Sequence, residues 1–250
     1  IVATFTISLL LSIINRGVFV IFNHALLLSE CDAWELLQCF THGLILDASI
    51  AGYITALPLI ATIITMWLPA SWRSAKVWRW GFMGYFAIIT LAVAIIETAD
   101  IGLYSAWQSR IDAQVLIYSP KEMMASLTVG NILGAVAYVG ATLAAALYLY
   151  NIALRRWLLP QRSEPRTIIS QRGIHTTVMI LIAGVIFLIM RGGITTSTAN
   201  VSMVHFSHKA TLNKIAINPV FSLIESATTG DDLNRFDFFP TEDAERIFLR

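Results

Sequence analysis

The sequence predicts an all-α polytopic membrane protein, with five transmembrane helices followed by short extracytoplasmic juxtamembrane helices. Three observations predict it. Of 250 residues, 56% are hydrophobic and only 13% are charged, and the mean hydropathy is +0.69, whereas a soluble domain carries about a quarter charged residues. Five stretches stay apolar over the roughly 20 residues a helix needs to cross the hydrocarbon, and open strands cannot cross because their edges would remain unsatisfied. Arginine and lysine collect in alternate connections, as the charge bias of membrane insertion requires.

Residues 1–22 are the first span. No small-residue cleavage site follows it, so it reads as an anchor rather than a removed signal, in a chain that starts at Ile1 and is expected to lack an N-terminal stretch. Residues 43–68 are the second, with Pro58 as a simple kink. Residues 77–104 are the third. Residues 126–154 are the fourth, long enough to be tilted or to project beyond the headgroups. Gly130, Gly134, Ala137 and Ala141 recur along it at helical spacing, which predicts a face for close helix–helix approach. Residues 173–190 are the fifth.

Arg73, Lys76 and Arg79 follow the second span, and Arg155, Arg156, Arg162, Arg166 and Arg172 surround the link from the fourth to the fifth. These basic links belong inside. The link after the first span has Glu30, Asp32 and Glu35 with no lysine or arginine, and the link after the third is mixed. Both belong outside. The N-terminus is then cytoplasmic and everything after Arg191 extracytoplasmic. Trp67, Trp72, Trp78 and Trp80 form an aromatic belt at the inner boundary.

The chain divides into a transmembrane domain, 1–194, and a juxtamembrane linker, 195–250. Before the second span, Asp32 and Glu35 read as a capping pair opening a short surface helix through Phe40, with Trp34 and Leu37 on its membrane face. Cys31 and Cys39 would then stand too far apart for a disulfide, which needs α-carbons within about 7 Å, and two thiols cannot build a four-thiolate zinc site. In the linker, Ile217-Asn218-Pro219 separates two helices, and Pro240-Thr241-Glu242-Asp243 opens a third.

Ionisable residues in spans are costly and point to function. Here they gather at the outer end: Arg16, Asp47, Glu97 and Asp100 in the first three spans, Arg110 and Asp112 in the outer loop, and Arg191 closing the fifth. Residues 50–68, 81–96 and 126–154 hold no acid, base or histidine. A coupled transporter needs polar groups at mid-depth, so this pattern favours handling of a lipid headgroup or support of an external domain. Two readings of the layer stay open. The arginines pair with the carboxylates as interhelical ion pairs, or Arg16, Arg110 and Arg191 bind phosphate, which suits a planar guanidinium. Glu97 and Asp100, three apart, offer only a weak divalent site, and His205 and His208 a solvated face. A net charge of +1 argues against a nucleic-acid partner. There is no phosphate loop, nucleophile elbow, HExxH or paired CxxC.

Three stretches also carry a likeness. They are 42–53, centred on Leu46-Asp47-Ala48-Ser49; the run 99–104 with Arg110-Ile111-Asp112 and Tyr118-Ser119-Pro120-Lys121-Glu122; and 212–223, around Ile217-Asn218-Pro219. Together they resemble the lipoteichoic acid synthase-like phosphoglycerol transferases of the alkaline phosphatase/sulfatase superfamily. The resemblance implies five spans in a bacterial cytoplasmic membrane and an extracytoplasmic catalytic domain. There, a threonine beside a divalent metal, manganese or magnesium, moves phosphoglycerol or phosphoethanolamine from a lipid. It also implies that no catalytic residue or cofactor lies in these 250 residues, and that the partners are anionic phospholipid and the chain's own catalytic domain. Donor, acceptor and transferase versus hydrolase stay open. A small transporter or flippase, or a scaffold subunit, are the alternatives.

Overall fold

The computed structural model describes residues 1–27, 31–69, 74–116, 128–157 and 169–229, without the side chains of 157 and 169–172. Among these residues the fold is all-α, and five helices are long and apolar enough to cross a membrane. They are α1 (Val2–Phe22), α3 (Ala33–Trp67), α4 (Ala75–Trp107), α5 (Val129–Trp157) and α6 (Ile169–Arg191). A single turn, α2 (His24–Leu27), follows α1, and the tail holds a 3-10 turn (Val201–Val204), α7 (Ala210–Ala216) and α8 (Pro219–Thr228).

The capping pair is present: Asp32 Oδ1 accepts from Glu35 N at 2.7 Å, and Glu35 Oε2 accepts from Asp32 N at 3.1 Å. The helix it opens does not stop at Phe40. It continues into the second span as one helix of 35 residues, about 52 Å long against about 30 Å of hydrocarbon. Neither Thr41 nor Gly43 breaks a helix that is held by packing on both sides. The first turns of α3 therefore form a stalk at the end where the tail docks. Further along, Pro58 lacks the N–H that Ile54 O would accept, and Tyr85 Oη donates to that carbonyl at 2.8 Å. The helix runs on through the proline because a neighbour satisfies the orphan.

The close helix approaches lie elsewhere than the spacing predicted. Gly130, Gly134, Ala137 and Ala141 are exposed on the outer face of α5, and a Cβ on Gly134 would meet nothing. The opposite face of α5 does the packing, because its large side chains find partners there. The Tyr150 ring stacks on Phe86 at 3.9 Å, its hydroxyl meets Ser8 Oγ at 2.8 Å, and Asn151 Oδ1 accepts from Arg79 at 3.0 Å. It is α3 that approaches closely. A Cβ at Gly52 would stand 2.6 Å from Met190 of α6, and just before it Ser49 Oγ donates to Met190 O at 2.8 Å.

The ends of α1, α4 and α6 and the start of α3 share one end of the bundle with the tail. Lys76, Arg79, Arg155 and Arg156 belong to the other end; Arg73, Arg162 and Arg166 lie outside the described residues. The tail's apolar residues join the bundle's core, with Val204, Leu212, Ile215 and Phe221 packed in one cluster with Phe19, Leu46 and Tyr104. Asn218 caps α8, accepting from Phe221 N at 3.1 Å, and Pro219 takes the first helical position. The helix predicted from Pro240 lies outside the described residues. Neither cysteine is in a disulfide, and Cys39 is buried with its thiol 3.4 Å from Leu212 O of the tail.

Candidate functional site

Five of the seven predicted site residues meet in one buried cluster at the tail end. Arg16 enters from α1, Asp47 from α3, Glu97 and Asp100 from successive turns of α4, and Arg110 from the loop after it. Each is 6% exposed or less. Arg16 Nη2 pairs with Asp47 Oδ1 at 2.7 Å, and its Nη1 donates to Ile215 O of the tail at 2.6 Å. Nη2 also lies 3.3 Å from Gly43 O. A Cβ at Gly43 would fall on the guanidinium, so only glycine leaves room for the arginine to lie flat against α3.

Arg110 repeats the pattern. Its Nη1 pairs with Asp100 Oδ2 at 3.0 Å, and Nη2 donates to Ile217 O at 2.8 Å. The other oxygen of Asp100 accepts from Ile111 N at 2.9 Å. The guanidinium also lies 3.9 Å over the Phe19 ring, a cation–π contact that desolvation strengthens. Burial lowers the Arg110 pKa from its usual range and Asp100 opposes the shift; a guanidinium so placed stays charged.

Uncharged polar residues complete the cluster. Asn218 Nδ2 donates to Asp47 Oδ1 at 2.8 Å. Asn15 Nδ2 donates to Glu97 Oε2, and Asn15 Oδ1 accepts from Tyr138 Oη of α5 at 2.8 Å. Sequence reasoning passed over Asn15, Tyr138 and Gly43 and read Asn218 only as a helix break. A buried amide beside Arg16 was the available signal, since such groups in spans seek interhelical partners.

Three carboxylates face two guanidiniums, and among the described residues no cation pairs with Glu97. Asp47 Oδ2, Arg16 Nε and Arg110 Nε are buried without a hydrogen bond. The cavity between these groups measures about 10 Å³, room for about one water molecule. The arrangement can hold helices and tail together; it has no space for a headgroup.

The other two predicted residues stand apart. Asp112 caps an exposed turn, accepting from Gln114 N at 2.9 Å. Arg191 closes α6 with Nη2 3.3 Å from Thr195 O and 3.5 Å from Thr196 O, and it has no carboxylate partner among the described residues. No group of three metal-ligating side chains is found among the described residues, and His205 and His208 are exposed.

Outside the buried layer, Lys209 Nζ meets both oxygens of Glu35 on the stalk at 2.7 and 2.8 Å. That bond holds the ammonium above the usual lysine range. Lys214 Nζ donates to Gln108 O at 2.6 Å. Compared with known proteins, the chain matches no family model and no solved structure.

Proposed function

We propose that this chain is the membrane-anchoring domain of an envelope enzyme, a phosphoglycerol or phosphoethanolamine transferase or a sulfatase-like hydrolase, and that its buried charges hold the tail in a fixed pose at the membrane surface. One observation carries the reading. Each buried ion pair spends part of itself on the tail: Arg16 on Ile215 O, Arg110 on Ile217 O, and Asp47 on Asn218. A tail gripped at two backbone carbonyls and one side-chain amide within four residues cannot swing freely, which is what an anchor must give to a domain that works on the adjacent leaflet. The proposed catalytic domain, with its manganese or magnesium, lies outside these residues. The carboxylates present do not fit that metal, because Asp47 and Asp100 are already paired with guanidiniums.

The small volume of the charged cavity supports an anchor over a transporter that would carry a polar cargo through these groups, which needs a passage there. Two measurements test the proposal. The purified chain should neither turn over a phosphatidylglycerol analogue nor pass solutes or lipid in proteoliposomes; turnover or flux would overturn it. Cys39, covered by the tail, should react with a maleimide only when the tail lifts, so in a Cys31→Ser background it should be unreactive in the intact protein. Rapid labelling of Cys39 without denaturant would show that the tail is not held.

A further inference from the structure

We propose that Arg191 and the loop after it form a binding site for the phosphate of an acidic phospholipid. This rests on the chain spanning a membrane, not on the tail being an anchor. Of the three arginines at the tail end among the described residues, Arg16 and Arg110 are buried and spent on carboxylates and carbonyls. Arg191 differs in each respect. It ends a membrane-crossing helix, the level at which headgroups lie. The residue is only partly buried, no carboxylate pairs with it among the described residues, and its Nε is buried without a hydrogen bond.

The backbone then places further donors and an apolar anchor beside it. Gly192 and Gly193 adopt positive φ of 86° and 120°, a conformation glycine enters without strain. They fold the chain back so that Ala199 N donates to Arg191 O at 2.7 Å. The loop so closed exposes Thr195, Thr196, Ser197 and Thr198; Thr195 and Ser197 brace it by donating to Ser197 O at 3.1 Å and Thr198 O at 3.2 Å, which leaves the hydroxyls of Thr196 and Thr198 for a ligand. The two carbonyls that receive Nη2 hold the guanidinium against this loop, and with Nε buried they leave Nη1 as the donor for a ligand. Ile194 at the tip is 87% exposed. A large apolar side chain so exposed beside a membrane span belongs in the lipid interface. A guanidinium, two exposed threonine hydroxyls and an apolar tip match a phosphate oxyanion, its polar surroundings and the first methylenes of an acyl chain.

The test counts lipids retained by the detergent-purified chain, by native mass spectrometry, with phosphatidylglycerol or phosphatidylcholine added. The unaltered chain should keep one phosphatidylglycerol more tightly than any phosphatidylcholine. Arg191→Gln should weaken that lipid by about fivefold, the effect expected of one basic residue at an acidic surface, and Arg191→Lys should recover part of it. Cys39 should stay unreactive in both variants, which separates loss of this site from release of the tail. Three outcomes would overturn the proposal: equal retention by Arg191→Gln, loss of the tightest lipid from Arg155→Gln/Arg156→Gln instead, or equal affinity for soluble glycerol phosphate.

Discussion

Replacing Arg16 with methionine tests the reasoning about the buried charges most directly. Methionine fills much of the arginine's volume but removes the 2.7 Å pair with Asp47, the 2.6 Å bond to Ile215 O and the contact with Gly43 O. Asp47, 0% exposed, keeps only Asn218 Nδ2 as a donor. Breaking a buried pair from one side costs about 3–5 kcal/mol, chiefly because the remaining charge stays desolvated. At 1.36 kcal/mol per tenfold, the lifted-tail population should rise about a hundredfold to several thousandfold. In the Cys31→Ser background this is read as the rate of maleimide labelling at Cys39. The double variant Arg16→Met/Asp47→Leu removes the stranded charge and should recover at least half of the loss. It should not recover all of it, because Asn218 then lacks its acceptor, at about 1–3 kcal/mol. A single variant within about 1 kcal/mol of the parent, or a double variant worse than the single, would refute the argument that the pair matters through desolvated charge.

Three further outcomes are expected. Gly43→Ala should push the Arg16 guanidinium off Asp47 and accelerate Cys39 labelling, with an overpacking cost of about 1–3 kcal/mol; Gly134→Ala, which meets open space, should change nothing. Glu97→Gln should match or exceed the parent in thermal stability, since it removes a buried acid with no cation partner among the described residues and keeps a side-chain oxygen to accept from Asn15 Nδ2; a clear loss would mean that the acid itself is required. Tyr85→Phe should leave Ile54 O without a donor beside Pro58 and lower the melting temperature by the equivalent of about 1–3 kcal/mol, whereas Tyr85→Phe combined with Pro58→Ala should restore most of it.

Much of the architecture was legible because crossing a bilayer leaves a chain few choices. Each span announces itself by length and composition, and Arg16, Asp47, Glu97, Asp100 and Arg110 drew notice because ionisable groups in such segments are expensive. Less legible were features that depend on which neighbour arrives. Residues 33–42 have the polarity of a surface helix, yet they run on into the span because the tail packs along them. The small residues of α5 carry the spacing of a contact face, but spacing says only that an approach is sterically permitted. Gly43 and Gly52, which carry no such repeat, make the close contacts because Arg16 and Met190 lie against them.

Sequence alone therefore determined that the protein is helical, that five of its described helices are long and apolar enough to cross a membrane, and that its charges gather toward one end. These follow from one-dimensional quantities, the length of an apolar run and the cost of a charge within it. Only the tertiary structure decided which charges meet, that Arg16 and Arg110 grip the tail, and that Arg191 and Asp112 stand outside the cluster. An ion pair is a property of two chain segments brought to within about 3 Å, and neither segment encodes the other's arrival.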